Sequence, residues 1–410
     1  MDPLKYSYDI LGEECLNRLD EISPSATGEL PRNQSRVPNT EKEKEERPKK
    51  RDLYESLKEH HDEDEKLGQL WRELNTIPEW VDWEQIARGQ DVFYRYGGVA
   101  LTALAYQSLL GGMGAARVTE VLAEQAASLL NSVDAMKPGG VGQASSIRVR
   151  LLHAAARRRI MKLTRERPHY YSIEEFGVPI NYLDSIATIA TFSATLIWLG
   201  FPRQGIWMKP QEIEDYLALW RLVAHYIGTP TSYFSSPESA KAIMESILIA
   251  EINPFSTSRI LANNIILSLQ GQAPAYASRD FLEASARWLN GNELGDALGL
   301  GRPRLYYWGL VAGLDRKGIR TLRHFLPQLI IHNKTHGLGG ETDFAFKYIP
   351  TLSFTTTDLG PYEPAFGKPR GVERRNLLTL IGGVVVVGAV GWLWVRGAVG
   401  TVAVLGDLFL

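Results

Sequence analysis

The segment SSIRVRLLHAAARRRIMKL, residues 145–163, holds the residue types best suited to chemistry in this chain of 410 residues. Val149, His153, Ala156 and Ile160 follow one another at spacings of 4, 3 and 4, so on a helix His153 projects from an apolar stripe. An imidazole in such a place can ligate a metal or move a proton. Ala154, Ala155 and Ala156 keep the helix surface shallow, as the approach of a flat macrocycle to an imidazole requires. Arg150 and Arg157 stand three positions before and four after His153, placed to flank it and to pair with propionate carboxylates. The bland alternative is a core histidine with both ring nitrogens satisfied, and spacing alone does not choose between the two.

Other histidines carry less. His225, in WRLVAHYIG, reads as a core or helix-end residue, with a sixth ligand or a proton shuttle as the sharper alternative. His169 follows Pro168 in a loop, and His324, His332 and His336 show no metal-ligand spacing. The run His60, His61, Asp62, Glu63, Asp64 reads as a solvated charge run rather than a metal site. HExxH, GxSxG and Walker A motifs are absent, and the clusters Gly111–Gly114 and Gly299–Gly301 follow helices, as C-caps do.

Composition narrows the classes. The chain is 44% hydrophobic and 22% charged with a net charge of -2, which gives no field for nucleic acid. One cysteine, Cys15, excludes an internal disulfide framework, a Cys-rich zinc site and CxxCH haem attachment. Its setting in a polar N-terminal region argues against a buried thiolate ligand. The first residues lack the apolar stretch of a signal peptide.

The elements that must position His153 are helical. Apolar residues recur at helical spacing over about 90–111, 116–132, 145–164, 183–200, 211–227, 237–251, 257–270, 279–290, 303–314 and 320–332. Prolines 138, 168, 179, 202, 210 and 230 break the runs, and Asn181 and Ser236 stand where N-caps are needed. Residues 41–66 carry 19 charges in 26 positions, so 1–66 is expected to be a disordered, charged arm passing into a solvated helix near Leu53. The main domain is expected over 67–362 and a basic Pro/Gly linker over 363–375.

Leu377 to Val395 is a run of 19 uncharged residues, about 28 Å as a helix, which predicts a membrane span over 376–396 with a short tail, 397–410. Trp392 and Trp394 suit one interface. Lys368, Arg370, Arg374 and Arg375 precede the span, which predicts a cytosolic main domain on an internal membrane such as the endoplasmic reticulum.

Four separated segments resemble one family in order: RGQDVFYRYGGVALTALAYQSL (88–109), IRVRLLHAAARRRI (147–160), FGVPINYLDSIATIATFSATLI (176–197) and EIEDYLALWRLVAHYIG (212–228). They are similar to the rubber oxygenase (latex-clearing protein) family, which includes the ER-bound mpaB-like oxygenases, over roughly residues 70–335. The resemblance implies an all-α, globin-like domain with haem b that uses O₂ to oxidise or cleave a lipophilic isoprenoid chain. It puts the proximal ligand on His153. The family's distal Arg, Lys and Thr fall approximately on Val121, Glu124 and Gln125, and none matches. Arg117, Glu124 and Gln125 remain the distal candidates, each equally readable as a solvated helix residue. Tyr182, Asp184, Thr188 and Thr191 read as packing and helix–helix hydrogen-bonding residues rather than catalytic ones.

The expectation is a membrane-anchored haem-dependent oxygenase, its lipophilic substrate drawn from the bilayer and its electron donor unidentified. A haem-binding sensor or carrier without oxygenase activity, and a cofactor-free tethered interaction protein, are the alternatives.

Overall fold

The structure is a computed structural model that describes residues 2–24, 51–104, 106, 132–254, 256–271 and 277–313, with the isolated positions 381, 385, 388, 389 and 392. No strand occurs among the described residues, so the fold is all-α as the periodicity predicts. The helices are α1 (Asp2–Lys5), α2 (Ile10–Ile22), α3 (Leu53–His60), α4 (Glu65–Asn75), α5 (Trp83–Ala103) and α6 (Val133–Met136). They continue with α7 (Val141–Glu166), α8 (Ile173–Phe176), α9 (Tyr182–Phe192), α10 (Phe201–Arg203), α11 (Pro210–Ile227) and α12 (Pro237–Glu251). The last are α13 (Ser256–Leu269), α14 (Arg279–Asn290), α15 (Asn292–Ala297) and α16 (Leu305–Gly313).

Helices α5 and α11 pack along their lengths and form the spine. The Arg88 guanidinium donates to both oxygens of Asp215 at 2.9 and 3.0 Å, and Gly89 lets the two backbones meet. A Cβ at Gly89 would lie 2.4 Å from the Asp215 carbonyl oxygen, in backbone that cannot swing away. Gly89→Ala is therefore expected to lower stability by about 1–3 kcal/mol, as overpacking does, measured by chemical denaturation.

Helix α7 lies against α11 and is flanked by α2, α3 and α6. Tyr216, Leu219, Leu222, Ile147, Leu151, Ile86 and Phe201 sit fully or almost fully buried at the centre. A smaller core of Ala262, Ile265, Ile266, Leu282, Ala286 and Leu289 joins α13 to α14. The stretch Tyr182–Arg203 is long and apolar enough to cross a membrane, but about half of its apolar window is buried in the main core and a π turn at Leu196–Gly200 interrupts it. It is a core element.

The expected disordered arm over 1–66 is corrected where residues are described. Cys15, Leu19 and Leu57 are fully buried in the main core, and Asp9, Asp52 and Asp64 cap α2, α3 and α4 through their side chains. Burying such apolar side chains contributes roughly 1.5–3 kcal/mol each, which together with the capping bonds offsets part of the cost of ordering these helices. Their signal is a short amphipathic pattern, Leu11, Cys15, Leu16, Leu19 and Ile22, that the surrounding charge conceals. The expected helices 116–132 and 320–332, the linker, the span over 376–396 and the tail lie outside the described residues, apart from five positions. Those five are helical, and Ile381, Val385 and Trp392 among them are exposed.

Candidate functional site

Helix α7 carries His153 near its middle, with no proline from Val141 to Glu166 and its one glycine, Gly142, in the first turn. Its buried face is Gln143, Ile147, Arg150, Leu151, Ala154 and Arg157, and His153 stands at the edge of that face beside half-buried Ala156 and Ile160. The imidazole lies deep among protein atoms yet keeps some solvent-accessible surface. Neither ring nitrogen makes a hydrogen bond within the described structure. Burial first, then the charge of Arg157, pushes its pKa down to about 4, with Asp9 pulling weakly upward. At neutral pH the ring is thus uncharged, with a lone pair free to bind a metal.

The two flanking arginines do not do what their spacing suggested. Arg150 is 3% exposed and donates through Nε and Nη2 to both oxygens of Asp9 at 2.7 and 2.8 Å, and through Nη1 to Glu73 at 2.8 Å. Arg157, equally buried, donates to the carbonyls of Pro179 and Ile180 and to Glu13, and stacks on Tyr8 with 4.5 Å between guanidinium carbon and ring centre. Both are committed to protein partners, so the expectation that they hold propionates is corrected. Helical spacing put them beside His153 but could not say which distant carboxylates would reach them first.

The remaining segments of the sequence pattern converge on the same place. Ile180, with φ +53°, closes the turn GVPIN, and Arg157 satisfies the carbonyls that this turn exposes. Asn181 and Asp184 form a capping box at the start of α9, while Thr188 and Thr191 bond back to carbonyls within α9. They hold the helix together and do not link neighbouring helices. Gly228 ends α11 in the left-handed conformation, where a Cβ would lie 2.5 Å from Arg150 Nε and 2.9 Å from Asp9 Cγ.

His225 packs on the same network from α11. Its Nε2 is buried without a partner, and the ring lies toward the Glu73 backbone and Arg150. The residue as a whole is half-buried. His169 lies in an exposed loop along a shallow groove with Thr164, Tyr171 and Glu174. His60 and His61 pair with Glu63 and Asp62, and no group that could hold a metal through three His, Cys, Asp or Glu side chains occurs among the described residues. Arg117, Val121, Glu124, Gln125, His324, His332 and His336 lie outside the described residues.

Cys15 is buried, and its thiol donates to the Lys66 carbonyl at 3.2 Å. Burial pushes its pKa up to about 12, so it is a poor thiolate ligand for a reason unlike the polar surroundings expected from sequence. Only about one molecule in ten thousand carries the thiolate at pH 8. Labelling of the native protein by iodoacetamide at pH 8 is therefore expected to be negligible, and to go to completion in denaturant. Mass spectrometry checks it.

The described residues thus form an all-helical fold in which α7 presents His153 with no hydrogen bond to its ring among the described residues. A solved structure of latex clearing protein in the closed state superposes with a TM-score of 0.55 at 18% identity, covering 80% of this chain and 91% of that one. The chain belongs to the family described as ER-bound oxygenase mpaB/B'/Rubber oxygenase, catalytic domain, whose model matches residues 83–316. The rubber oxygenase of Streptomyces sp. (strain K30) is 22% identical over 252 residues, 58% of this chain and 61% of that protein. The match thus spans about three fifths of the curated relative's length.

Proposed function

We propose that this protein is a haem b-dependent oxygenase that uses O₂ to oxidise or cleave a lipophilic, isoprenoid-like substrate, with His153 as the proximal ligand of the iron. The observation that carries this reading is the imidazole of His153, neutral, partly accessible and without a hydrogen bond among the described residues, on the helix that also bears the family resemblance. The residues present fit the group on this side. An imidazole that is neutral at pH 7 and makes no competing hydrogen bond presents its lone pair without first shedding a proton. When bound, haem supplies the activation of O₂, and the protein sets ligand, polarity and access.

The rest of the chemistry assigned to this chain is positioning and exclusion. The buried Arg150 and Arg157 fix the rotation of α7, and with it the direction of His153. The apolar core packs on the adjacent Ile147 and Leu151 face of α7 and holds the helix in place. The apolar run over 376–396 would hold the domain at a membrane, with Lys368, Arg370, Arg374 and Arg375 on the cytosolic side, and so concentrate a lipophilic substrate. Polyisoprenoid is the substrate class suggested by the rubber oxygenase relative. The test is to incubate purified, haemin-supplied protein in detergent with O₂ and a polyisoprene emulsion, then trap carbonyl products with a hydrazine. Oxygen-dependent carbonyl formation is expected; its absence in a preparation that carries haem would sink the oxygenase assignment.

A second reading, a haem protein that carries or senses without turning over, draws on the sequence at the distal candidates. Val121, Glu124 and Gln125 stand where the family has a different polar set, and distal donors decide whether O₂ is carried or activated. A six-coordinate spectrum indifferent to O₂ and CO favours that reading.

A further inference from the structure

Four arginines of α7 surround the His153 position: Arg148, Arg150, Arg157 and Arg158. Each pairs with carboxylates that lie before residue 83, where the family domain begins. Arg148 meets Asp52, Arg150 meets Asp9 and Glu73, Arg157 meets Glu13, and Arg158 meets Asp20. The pairings reach across as many as 144 residues of sequence.

The N-terminal segment grips the neighbouring turn as well. The Lys5 carbonyl accepts from Val178 N–H and the Ser7 carbonyl from Tyr182 N–H, both at 2.8 Å. Gly177, at φ +77°, passes so close that a Cβ would lie 2.3 Å from the Lys5 carbonyl oxygen. A Cβ at Gly12 would strike the Asp9 carboxylate at 2.1 Å, and one at Gly228 would strike both partners of the Asp9–Arg150 pair. Three glycines thus leave room for this contact and no more.

We infer that residues 2–22, outside the family's catalytic domain, are a built-in clamp on the helix that bears His153, with Asp9 and Glu13 as its positioning residues. The inference rests on the reading of His153 as the haem ligand. Asp9 and Glu13 hold the side chains one turn either side of His153 and so hold the stretch of helix that carries it, one step further out than a partner bonded to a metal ligand itself. Asp9 and Glu13 stand behind α7 and act through Arg150 and Arg157.

The test compares Asp9→Asn, Glu13→Gln and Glu14→Gln in the full chain. Glu14 is the control: it neighbours Glu13 on α2, but pairs with Lys66 of α4 at 2.7 Å and touches no arginine of α7. Two quantities are read. One is amide hydrogen exchange across residues 149–157 without cofactor. The other is the rate at which bound haem passes to excess apomyoglobin. Asp9→Asn and Glu13→Gln are expected to speed both about tenfold, and Glu14→Gln to leave both unchanged. Asp9 also caps α2, so if Asp9→Asn fails to fold, Glu13→Gln decides. The clamp is overturned if Glu13→Gln alters neither quantity, or if Glu14→Gln alters them as much. A wild-type chain that takes up no haem while exchange still responds overturns the cofactor reading and leaves the clamp standing.

Discussion

Full-length protein carrying His153→Ala, supplied with haemin, is expected to purify without a Soret band that the wild-type chain retains. Loss of the only proximal ligand should lower haemin affinity by at least about a hundredfold, more than removal of an outer-shell partner does. The variant should nevertheless fold. His153 makes no hydrogen bond within the described structure, so its removal strands no buried partner. Alanine is the strongest helix former, and the site already runs Ala154, Ala155 and Ala156. Circular dichroism of the two cofactor-free proteins with an unchanged melting midpoint, beside a Soret band lost only in the haemin-supplied variant, separates ligation from folding.

Arg150→Met is expected to do the reverse, lowering stability by about 3–5 kcal/mol, the cost of leaving a buried charge without its partner. Methionine matches the length of the arginine stem but supplies none of the three donors that reach Asp9 and Glu73. The Asp9 carboxylate, its side chain 12% exposed, would keep the Gly12 N–H but lose both guanidinium donors and face an apolar neighbour. Denaturant titration followed by tryptophan fluorescence measures the loss. A drop below about 1 kcal/mol would show that the pair is no more than a surface bridge.

The helical frame was legible from residue type and period. Helices α12 and α14 have the bounds expected, Pro237–Glu251 and Arg279–Asn290, because Ser236 and Ser278 cap them and Pro230 and Gly291 bracket them. The apolar run from residue 183 to 200 shows the limit of periodicity, since a π turn at Leu196–Gly200 divides it without proline or a charge to announce the change. The N-terminal helices were concealed for a different reason. Averaged over 1–66, charge dominates, but Cys15, Leu16 and Leu19 form one buried stripe. Composition speaks for a segment as a whole and says little about thirteen residues within it.

At the site, sequence placed His153 on a helix face and gave its small neighbours. It could not give the partners of Arg150 and Arg157, which come from residues 9, 13, 73, 179 and 180. A local pattern reports which side chains share a face and is silent on what faces them from far along the chain. Gly177 and Gly228 were visible as members of the resembling segments, yet their reason, contact with Lys5 and with the Asp9–Arg150 pair, exists only in three dimensions.

The central claim is a bond between the His153 imidazole and haem iron. Its most direct measurement is the absorption spectrum and iron content of folded, haemin-supplied full-length protein. The account predicts a Soret band with about one iron per chain. Folded wild-type protein that takes up no iron would contradict it.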